Sequence, residues 1–282
     1  MKEYDEATLK RVQKAELRLL KDFVAVCDKY HLDYFGVDGT AIGAIRHKGF
    51  IPWDDDIDIA MPRKDYEKFL KIAPEAMKEK YTIVNARINE NFPIMTTHII
   101  KKGTVFMHEP FKNLDIPNGI FLDVFPFDNI SDNPKERKKQ FRDAFINSKL
   151  QILRAISRPT LGVTGIQAKL VYAACSIVHG LLVALHVPKK TFARKCERIG
   201  KRFAHENTKC VTYLFDTTPK WHVCKKDEIY PLKKLPFEDM MLKFPNKVED
   251  YLTRQYGDYM QLPPVEKRKN HYPYQLEFGA DD

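Results

Sequence analysis

Apolar residues recur at helical or strand spacing along most of the chain. Residues 5–30 repeat apolar side chains every three or four positions, which predicts an N-terminal helix with Asp5 as its N-cap. The same spacing predicts helices over residues 40–47, 62–73, 134–157, 189–206 and 248–260. Alternating or β-rich segments predict strands over residues 33–39, 55–61, 81–88, 96–102, 104–108, 119–128, 210–215 and 237–244.

The order of these elements predicts an α+β fold. Most strands fall before residue 130 and most helices after it, so we expect a mixed sheet core with flanking helices in residues 1–130. Residues 131–245 form a mostly helical, basic region, and residues 246–282 form a separate C-terminal segment.

One apolar run stands apart from the amphipathic helices. Residues 169–187 read KLVYAACSIVHGLLVALHV, with His179 and Gly180 in the middle. A membrane-spanning helix takes about 20 apolar residues, and this run is shorter, so we expect a buried core helix. Basic helices on both sides favour a rival interpretation, in which the run lies at a membrane interface.

Composition narrows the class of protein. Hydrophobic residues make up 44% and charged residues 30% of the 282 positions, which is typical of a folded domain. The net charge of +9 favours anionic partners such as nucleotide phosphates or anionic lipids, and we expect no nucleic acid. The five cysteines include no CxxC pair, and the N-terminus has no apolar signal core. Both features indicate a cytoplasmic protein, with peripheral contact at the inner face of the membrane as an extension.

Four aspartates crowd into the segment GFIPWDDDIDIAMPR, residues 49–63. On a strand, Asp54, Asp56 and Asp58 point to one face, while Asp55 points to the core side with the isoleucines. Neighbouring carboxylates repel by ~1–4 kcal/mol per pair, so protonation, an arginine or a divalent cation must neutralise them. Oxygen ligands clustered in this way suit Mg²⁺ or Mn²⁺.

Two other interpretations of the aspartates are weaker. A charged edge strand that prevents aggregation normally carries one inward charge, often lysine, and not three acids in a row. A calcium loop that began at Asp54 needs glycine at its sixth position and glutamate at its twelfth. Those positions hold Ile59 and Asp65, so the calcium loop is excluded.

The residues before the aspartates complete a pattern. Gly39 and Thr40 close a strand and open a helix, where backbone N–H groups can approach a phosphate. A Gly-Ser-like turn followed by D-x-D on the next strand resembles the nucleotidyltransferase-fold signature. That fold usually adds a third carboxylate, and Asp123 in GIFLDVFPFD is the candidate. The alternative for Asp123 is a strand acid paired with an arginine.

Three longer blocks resemble one family. The segment DGTAIGAIRHKGFIPWDDDIDIAMPRKDYEKF resembles the defining motif of the LicD phosphotransferases, which are related to the fukutin-related proteins. GIFLDVFPFD and YGDYMQLPPVEKRKNH resemble its later motifs, in the family order across residues 38–271. The resemblance implies transfer of phosphocholine from CDP-choline to a sugar hydroxyl of a cell-surface glycan precursor, such as teichoic acid, with release of CMP. The acceptor is expected to be lipid-linked.

The resemblance also implies roles for individual residues. Asp56, Asp58 and Asp123 would hold Mg²⁺ or Mn²⁺, and Asp123 would also take the proton from the sugar hydroxyl. The C-terminal segment would return to the active site. The expected substrate-binding residues are Gly39, Thr40, Arg46, Lys48, Trp53, Asp54, Arg268 and His271, with Arg63 as a further phosphate contact.

Choline needs a different kind of contact from phosphate. A quaternary ammonium has no hydrogen-bond donor and is recognised by aromatic faces. Trp53 is the first candidate for this contact. Tyr272, Tyr274 and Phe278 are further candidates, for which packing in the core is the favoured alternative.

Several alternatives remain open in the sequence. The chain could use another CDP-alcohol, such as CDP-ribitol or CDP-glycerol, or it could be a nucleotidyltransferase. A non-catalytic module that binds a polyanion or a membrane is disfavoured by intact Asp56 and Asp58. A zinc site at His205, Cys210, His222 and Cys224 is a minor alternative, because the spacing is irregular.

Overall fold

The computed structural model describes residues 4–161 and 164–280. Eight α-helices are described: α1 Glu6–Lys29, α2 Asp38–Arg46, α3 Arg63–Ala76, α4 Pro134–Ala155, α5 Gly165–Ala184, α6 Lys190–Gly200, α7 Lys226–Ile229 and α8 Val248–Tyr256. The strands are β1 Phe35–Gly36, β2 Asp58–Pro62, β3 Tyr81–Val84, β4 Thr97–Lys101, β5 Val105–Met107, β6 Phe121–Ile130, β7 Cys210–Thr212, β8 Cys224–Lys225, β9 Lys233–Phe237, β10 Met240–Phe244 and β11 Gln275–Glu277. The predicted α+β class is confirmed.

A mixed seven-stranded sheet forms the centre of the molecule. Its main order is β1-β2-β6-β4-β3, and β7 extends it by pairing with the end of β6, with β8 beyond. Within the described residues, β2 and β6 are the one parallel pair, and the other neighbours are antiparallel. Parallel strands need a crossover, which α3, β3 and β4 provide here. The sheet therefore places β2 beside β6 at its middle.

Helix α1 packs across this sheet. Asp5 is its N-cap, as predicted, and its side chain accepts a hydrogen bond from the Thr8 N–H at 2.8 Å. The buried face of α1 brings Phe23 into the main core, where its ring makes edge contacts with Tyr34 and Phe69 at 5.3 Å each.

Buried glutamines attach the helices of the second half. Gln140 of α4 donates to the Asn129 and Ile199 carbonyls at 3.1 and 3.3 Å, and so joins β6 to α6. Gln151 accepts from the Ala193 N–H at 3.0 Å. The sheet itself crosses the expected boundary at residue 130, because β7 pairs with the end of β6. The division into residues 1–130, 131–245 and 246–282 stays a prediction.

The C-terminal segment returns to the first half of the chain. Strand β11 pairs antiparallel with β5, with Leu276 opposite Phe106. The hairpin of β9 and β10 packs near β1 and α2.

The strand that carries the aspartates begins later than the alternation predicts. β2 starts at Asp58, and residues 54–57 are irregular. A turn bond from the Asp54 N–H to the Ile51 carbonyl and a bond from Gln13 to the Asp54 carbonyl hold this segment outside the sheet. The prediction that Asp54, Asp56 and Asp58 share one strand face is therefore wrong. The burial predicted for Asp55 is confirmed, since its side chain is inaccessible to solvent.

Helix α5 is not a core helix. It is 20 residues long with a mean hydropathy of 1.5, and none of its described residues is buried. The expectation of a buried core helix is therefore wrong. Apolar composition alone could not decide this point, because core helices and helices that lie against lipid have the same composition.

Candidate active site

Asp58 and Asp123 lie side by side at the centre of the sheet. They occupy the same register position of the parallel strands β2 and β6, and the Asp123 N–H donates to the Ile57 carbonyl at 3.1 Å. Neighbouring strands are about 4.8 Å apart, and register partners in a parallel pair point to the same face. The fold thus brings these two predicted carboxylates together from positions 65 residues apart in the chain.

The pKa values of Asp58 and Asp54 are raised above their usual range. Burial raises the pKa of Asp58 well above its usual range, and the charges of Asp56, Asp38, Asp123 and Asp54 add to the effect. Burial and the neighbouring charges of Asp56 and Asp55 likewise raise the pKa of Asp54. These carboxylates cannot all ionise unless a cation lies nearby.

A buried glutamate of α1 belongs to the same cluster. Burial raises the pKa of Glu16 well above its usual range, followed by the charges of Asp56 and Asp55. Its Oε2 is buried and has no hydrogen-bond partner among the described residues. Glu16 was not predicted from the sequence. Its position on the apolar face of α1, between Ala15 and Leu19, is the feature that could have indicated a buried functional acid.

His271 contacts two of the aspartates, and the predicted return of the C-terminal segment brings it to them. Its backbone N–H donates to Asp55 Oδ1 at 2.7 Å, and its ring Nδ1 lies 3.1 Å from Asp56 Oδ2 and 3.4 Å from Asp55 Oδ1. The ring contacts with the two carboxylates outweigh the effect of burial and raise the pKa of His271 to about 12, so the ring is an imidazolium at neutral pH. Tyr4 donates to the other oxygen of Asp55 at 2.8 Å. Asp55 therefore ties both ends of the chain to the site.

Asp123 has a histidine partner, where the alternative interpretation expected an arginine. His98 Nε2 lies 2.9 Å from Asp123 Oδ1. The His98 ring is stacked on Phe121, with centroids 4.3 Å apart and planes inclined by 8°, and meets Phe92 edge-on. No well-oriented hydrogen bond reaches Asp123 Oδ1, although the atom is buried. An acceptor oxygen with this environment is available to a cation or to a substrate hydroxyl.

Gly39 and Thr40 lie in the first turn of α2. Thr40 is buried and its Oγ1 accepts the Asp58 N–H at 2.8 Å, which fixes the start of β2 against α2. A Cβ on Gly39 would lie 2.7 Å from Asp54 Oδ2, so glycine is required for this close approach. The positive end of α2 thus faces the carboxylates, as an anion site at a helix N-terminus requires.

The side chains of two arginines approach the Trp53 ring. The guanidinium of Arg268 lies 4.5 Å from the Trp53 ring centroid, and that of Arg46 lies 5.9 Å away. Arg46 also donates to the Tyr259 carbonyl at 2.5 Å. In the described part of the chain, no carboxylate pairs with either guanidinium. The two positive charges therefore suit a diphosphate. The arginines approach the Trp53 ring, which the sequence predicted would contact choline.

The other predicted cations lie elsewhere. Arg63 is buried and forms a two-pronged ion pair with Asp128, at 2.6 and 2.9 Å, so the expectation that it contacts phosphate is wrong. Lys48 is exposed on the loop after α2, and its Nζ donates to the Ile45 carbonyl at 3.2 Å. Its role in substrate binding stays a prediction.

A cavity of about 650 Å³ opens beside the carboxylates. Asp56, Asp123, His98 and His271 form its polar side. Its aromatic side consists of Phe111, Phe121, Tyr272 and Tyr274. Burial and the neighbouring charges of His98 and His271 lower the pKa of His108 to about 4, so this lining residue is neutral at pH 7. The cavity therefore combines acidic and aromatic surfaces.

Comparison with known proteins identifies the family. Residues 31–163 match the family described as LicD/FKTN/FKRP, nucleotidyltransferase domain. The chain is 30% identical over 278 residues to the lipopolysaccharide cholinephosphotransferase LicD of Haemophilus influenzae, and the alignment covers 94% of this chain and 96% of that protein. This chain belongs to the LicD family. Over shorter segments, the chain is also similar to uncharacterized proteins of Rickettsia typhi, with 34% identity over 89 residues, and of Rickettsia prowazekii, with 36% identity over 66 residues.

The matched LicD region contains the whole carboxylate cluster apart from Glu16. Asp54, Asp56, Asp58 and Asp123 all fall within residues 31–163. Arg268 and His271 lie outside this region, and the return of the C-terminal segment brings them to it. The predicted site residues of this LicD family member thus come together, except that Lys48 lies at the margin.

A metal is expected of the LicD family, and the candidate site has part of the ligand set that such a metal needs. Among residues 4–161 and 164–280, no three Asp, Glu, His or Cys side chains form a ready-made metal site. The donor set nevertheless fits a hard cation, because Asp58 and Asp123 are register neighbours and the buried Glu16 Oε2 has no hydrogen-bond partner among the described residues. The His271 imidazolium lies against Asp56, where it supplies positive charge in this structure. Metal binding stays a prediction.

A second charged network, which the sequence analysis missed, lies behind α2. Asp38, in the left-handed region at φ 47°, accepts hydrogen bonds from Tyr251 at 2.8 Å and Gln255 at 2.7 Å. His222 lies between Asp38 and Asp216, 3.4 and 3.5 Å away. The carboxylates outweigh burial and raise the pKa of His222 to about 10. This network holds the start of α2 in place.

The same network separates the zinc candidates. His222 contacts aspartates, Cys224 is buried in the core, and His205 is exposed. Cys224 lies opposite Val211, next to Cys210, but no metal-binding group forms within the described residues. The zinc interpretation is therefore wrong for this part of the chain.

Proposed function

We propose that this protein transfers phosphocholine from CDP-choline to a sugar hydroxyl of a cell-surface glycan precursor and releases CMP. The observation that carries the proposal is the pairing of Asp58 with Asp123 in one register position, beside a cavity of about 650 Å³ that Asp123 lines. The relationship to a lipopolysaccharide cholinephosphotransferase supports phosphocholine as the group and a glycan as the acceptor. A teichoic acid-like precursor is the acceptor proposed here.

The diphosphate of the donor binds between α2 and Trp53. Arg46 and Arg268 supply two positive charges without acidic partners, and the first turn of α2 supplies free N–H groups. The pKa of Arg46 is lowered by burial and by the charge of Arg268, which is the mark of two cations held together. A dianionic diphosphate removes that repulsion. The cytidine then lies on the α2 side of the carboxylates.

The transfer is a displacement at the β-phosphorus. The sugar oxygen forms a bond to the phosphorus that carries choline, the bond from that phosphorus to the bridging oxygen breaks, and CMP leaves with the electron pair. Asp123 takes the proton of the sugar hydroxyl, since it lines the cavity. His98 holds Asp123 in position through the contact at 2.9 Å.

Asp56, Asp58 and Asp123 are the residues that would hold Mg²⁺ or Mn²⁺. When bound, the metal neutralises charge on the diphosphate and on the departing CMP. The protein's part is to keep Asp58 and Asp123 adjacent through the strand register and to position Asp56 beside His271. Asp54 lies against Gly39 and orients the segment between α2 and β2.

The choline headgroup lies in the aromatic part of the cavity. Phe111, Tyr272 and Tyr274 present ring surfaces there, which suit a quaternary ammonium. Trp53 is less suitable, because two guanidinium groups already approach its ring.

A panel of donors tests the proposal. The purified protein and an acceptor glycan, teichoic acid or lipopolysaccharide, are incubated with CDP-choline, CDP-ribitol, CDP-glycerol or CDP-ethanolamine, with Mg²⁺, Mn²⁺ or EDTA, and CMP release is measured. We expect release from CDP-choline with either metal and none with EDTA. Faster release from CDP-ribitol or CDP-glycerol would replace choline by another alcohol. Release that persists in an Asp58→Asn variant would remove the carboxylate pair from the chemistry.

A further inference from the structure

The outward surface of α5 is not covered by any of the residues that the structure describes. Five apolar side chains on it are more than half exposed: Ile166 at 77%, Leu170 at 67%, Ile177 at 64%, Leu181 at 57% and, just after the helix, Leu185 at 73%. Among the described residues, α5 is the one helix long and apolar enough to cross a membrane by length and composition. A helix that is apolar all round belongs in an apolar medium, and the protein core does not supply one here.

The inward side of α5 is attached to the body. Half-exposed residues recur at Ala168, Tyr172, Cys175, His179 and Leu182, with the 4-3-4-3 spacing of one helix face. His179 Nδ1 lies 2.7 Å from the Leu153 carbonyl of α4. Just after α5, the Val187 carbonyl accepts from Arg154 at 2.6 Å. Because one side is held against α4, α5 cannot be surrounded by lipid as a spanning helix is.

The charge around α5 complements an anionic surface. Between residues 158 and 202 the chain has nine Lys and Arg and a single acid, Glu197. Arg158 before the helix and Arg194, Lys195 and Arg198 after it are exposed. Basic residues near an anionic bilayer add to the apolar attraction, and the two signals together give a stable but reversible attachment.

A groove beside α5 adjoins the cavity at the carboxylates. This groove, of about 740 Å³, is lined by Tyr172 and His179 of α5, and it shares Glu109, Pro110 and Thr160 with the cavity beside Asp123. The two cavities are therefore neighbours on one side of the protein. An acceptor anchored in a bilayer beside α5 would lie next to the cavity that Asp123 lines.

We propose that α5 lies in the interface of an anionic bilayer, where it brings the mouth of this groove to membrane-anchored acceptors. The role of the groove rests on the proposed transferase function, whereas the docking of α5 does not. The occupant to which the proposal commits is a bilayer that contains anionic lipid. A second copy of the chain on the same surface is an outcome that the test distinguishes.

Flotation with vesicles tests the docking. The full chain is mixed with vesicles of phosphatidylglycerol and phosphatidylethanolamine, or with phosphatidylcholine alone, at low and high salt. We expect recovery with the anionic vesicles at low salt, weaker recovery at high salt, and little with phosphatidylcholine. No recovery with anionic vesicles at low salt would overturn the proposal. Recovery that resists both high salt and carbonate would overturn it in favour of a spanning helix.

A neutral triple variant isolates the apolar surface. Leu170→Gln, Ile177→Gln and Leu181→Gln leave the net charge unchanged and affect exposed positions, so the fold should hold. We expect membrane partitioning to fall at least about tenfold, because each side chain removes several membrane-buried CH₂ groups. Met241→Gln, at a position 51% exposed on β10, is the matched control and should float like the parent. Unchanged flotation of the triple variant would overturn the proposal.

Two further readouts separate the remaining outcomes. Light scattering without lipid reports oligomeric state, and a dimer that the triple variant dissociates would assign the surface to a second copy and overturn the bilayer. CMP release from CDP-choline with soluble teichoic acid as acceptor and no membrane should be equal in the parent and the triple variant. If the parent releases no CMP with this acceptor and any CDP-alcohol, the proposed function fails, while flotation still decides the docking of α5.

Discussion

Asp58 and Asp123 are register partners in adjacent parallel strands, and this relationship positions the candidate chemistry. Two carboxylates so placed destabilise each other unless a cation or a proton lies between them. Burial is the largest cause of the raised pKa of Asp58, and the charges of Asp56, Asp38 and Asp123 add to it. The site therefore gives up stability in the free protein in order to bind cationic and phosphorylated ligands.

The first prediction concerns this carboxylate pair. Asp58→Asn should lower CMP release by at least about a thousandfold, because transition-state charge loses a principal electrostatic partner. Thermal stability without metal should hold or rise, since one repelling charge is removed. Activity and melting temperature are measured on the same preparation. Asp250→Asn, on the exposed side of α8, is the control and should change neither. A destabilised Asp58→Asn protein would contradict the repulsion argument.

Arg46 and Arg268 should act on donor binding more than on turnover. Arg46→Gln or Arg268→Gln should raise the KM for CDP-choline about 10- to 100-fold, the value of a hydrogen bond to a charged group. Arg268→Lys should not rescue binding, because an ammonium cannot stack on Trp53 as a planar guanidinium does. Steady-state kinetics separate KM from kcat. A fall in kcat with unchanged KM would place these arginines outside the donor site.

Tyr274 should select for the quaternary ammonium. Tyr274→Ala should raise the KM for CDP-choline about 2- to 30-fold, the usual strength of a cation–π contact, and Tyr274→Phe should retain most of the affinity. The effect should be smaller for CDP-ethanolamine, whose primary ammonium can be held by carboxylates. Tyr274 is 55% exposed, so the truncation should leave the fold intact. Equal losses for both donors would mean that the ring contacts another part of the substrate.

His222 should give the fold a dependence on pH. Asp38 and Asp216 raise its pKa from the ordinary 6.5 to about 10 against the effect of burial. A raised histidine pKa stabilises the folded state fully below about pH 6.5, and the contribution is lost as pH rises through about 10. Tyr251, Tyr256 and Lys149 are the other titratable groups near these carboxylates.

The measurement for His222 is the melting temperature across this range. His222→Gln should melt several degrees below the parent at pH 6 to 7, and the gap should narrow toward pH 10, because breaking a buried ion pair is costly only while it is charged. The exposed His205→Gln is the control and should melt like the parent throughout. A gap that is constant with pH would show that His222 acts through packing and not through charge.

Local patterns were enough to predict most of the elements. Helical spacing identified α1 and its Asp5 cap, and β-rich composition identified β6 with Asp123 inside it. The start of β2 was missed, because it depends on the pairing of residues 59 and 60 with β1 and on the turn at Asp54. Those contacts join distant parts of the chain and leave no trace in local alternation.

The acidic residues of the candidate site were easier to predict from the sequence than the long-range contacts around them. The aspartate segment and the family motifs indicated Asp56, Asp58, Asp123 and His271. The arginines over Trp53 could not be foreseen, because Arg268 reaches Trp53 from 215 positions along the chain. The contact of His222 with Asp38 is also remote in the chain, and the sequence offered only a zinc site for His222, as a minor alternative. Long-range contacts of this kind require the fold.

A dual-label transfer assay distinguishes directly between transfer of phosphocholine and transfer of the nucleotide. CDP-choline labelled either in the choline methyl groups or in the cytosine ring is incubated with the protein, a metal, and teichoic acid or lipopolysaccharide as acceptor. The account predicts that choline label enters the glycan while cytosine label is released as CMP, and that Asp58→Asn abolishes both. Cytosine label in the glycan with release of phosphocholine would contradict the account and identify a nucleotidyltransferase.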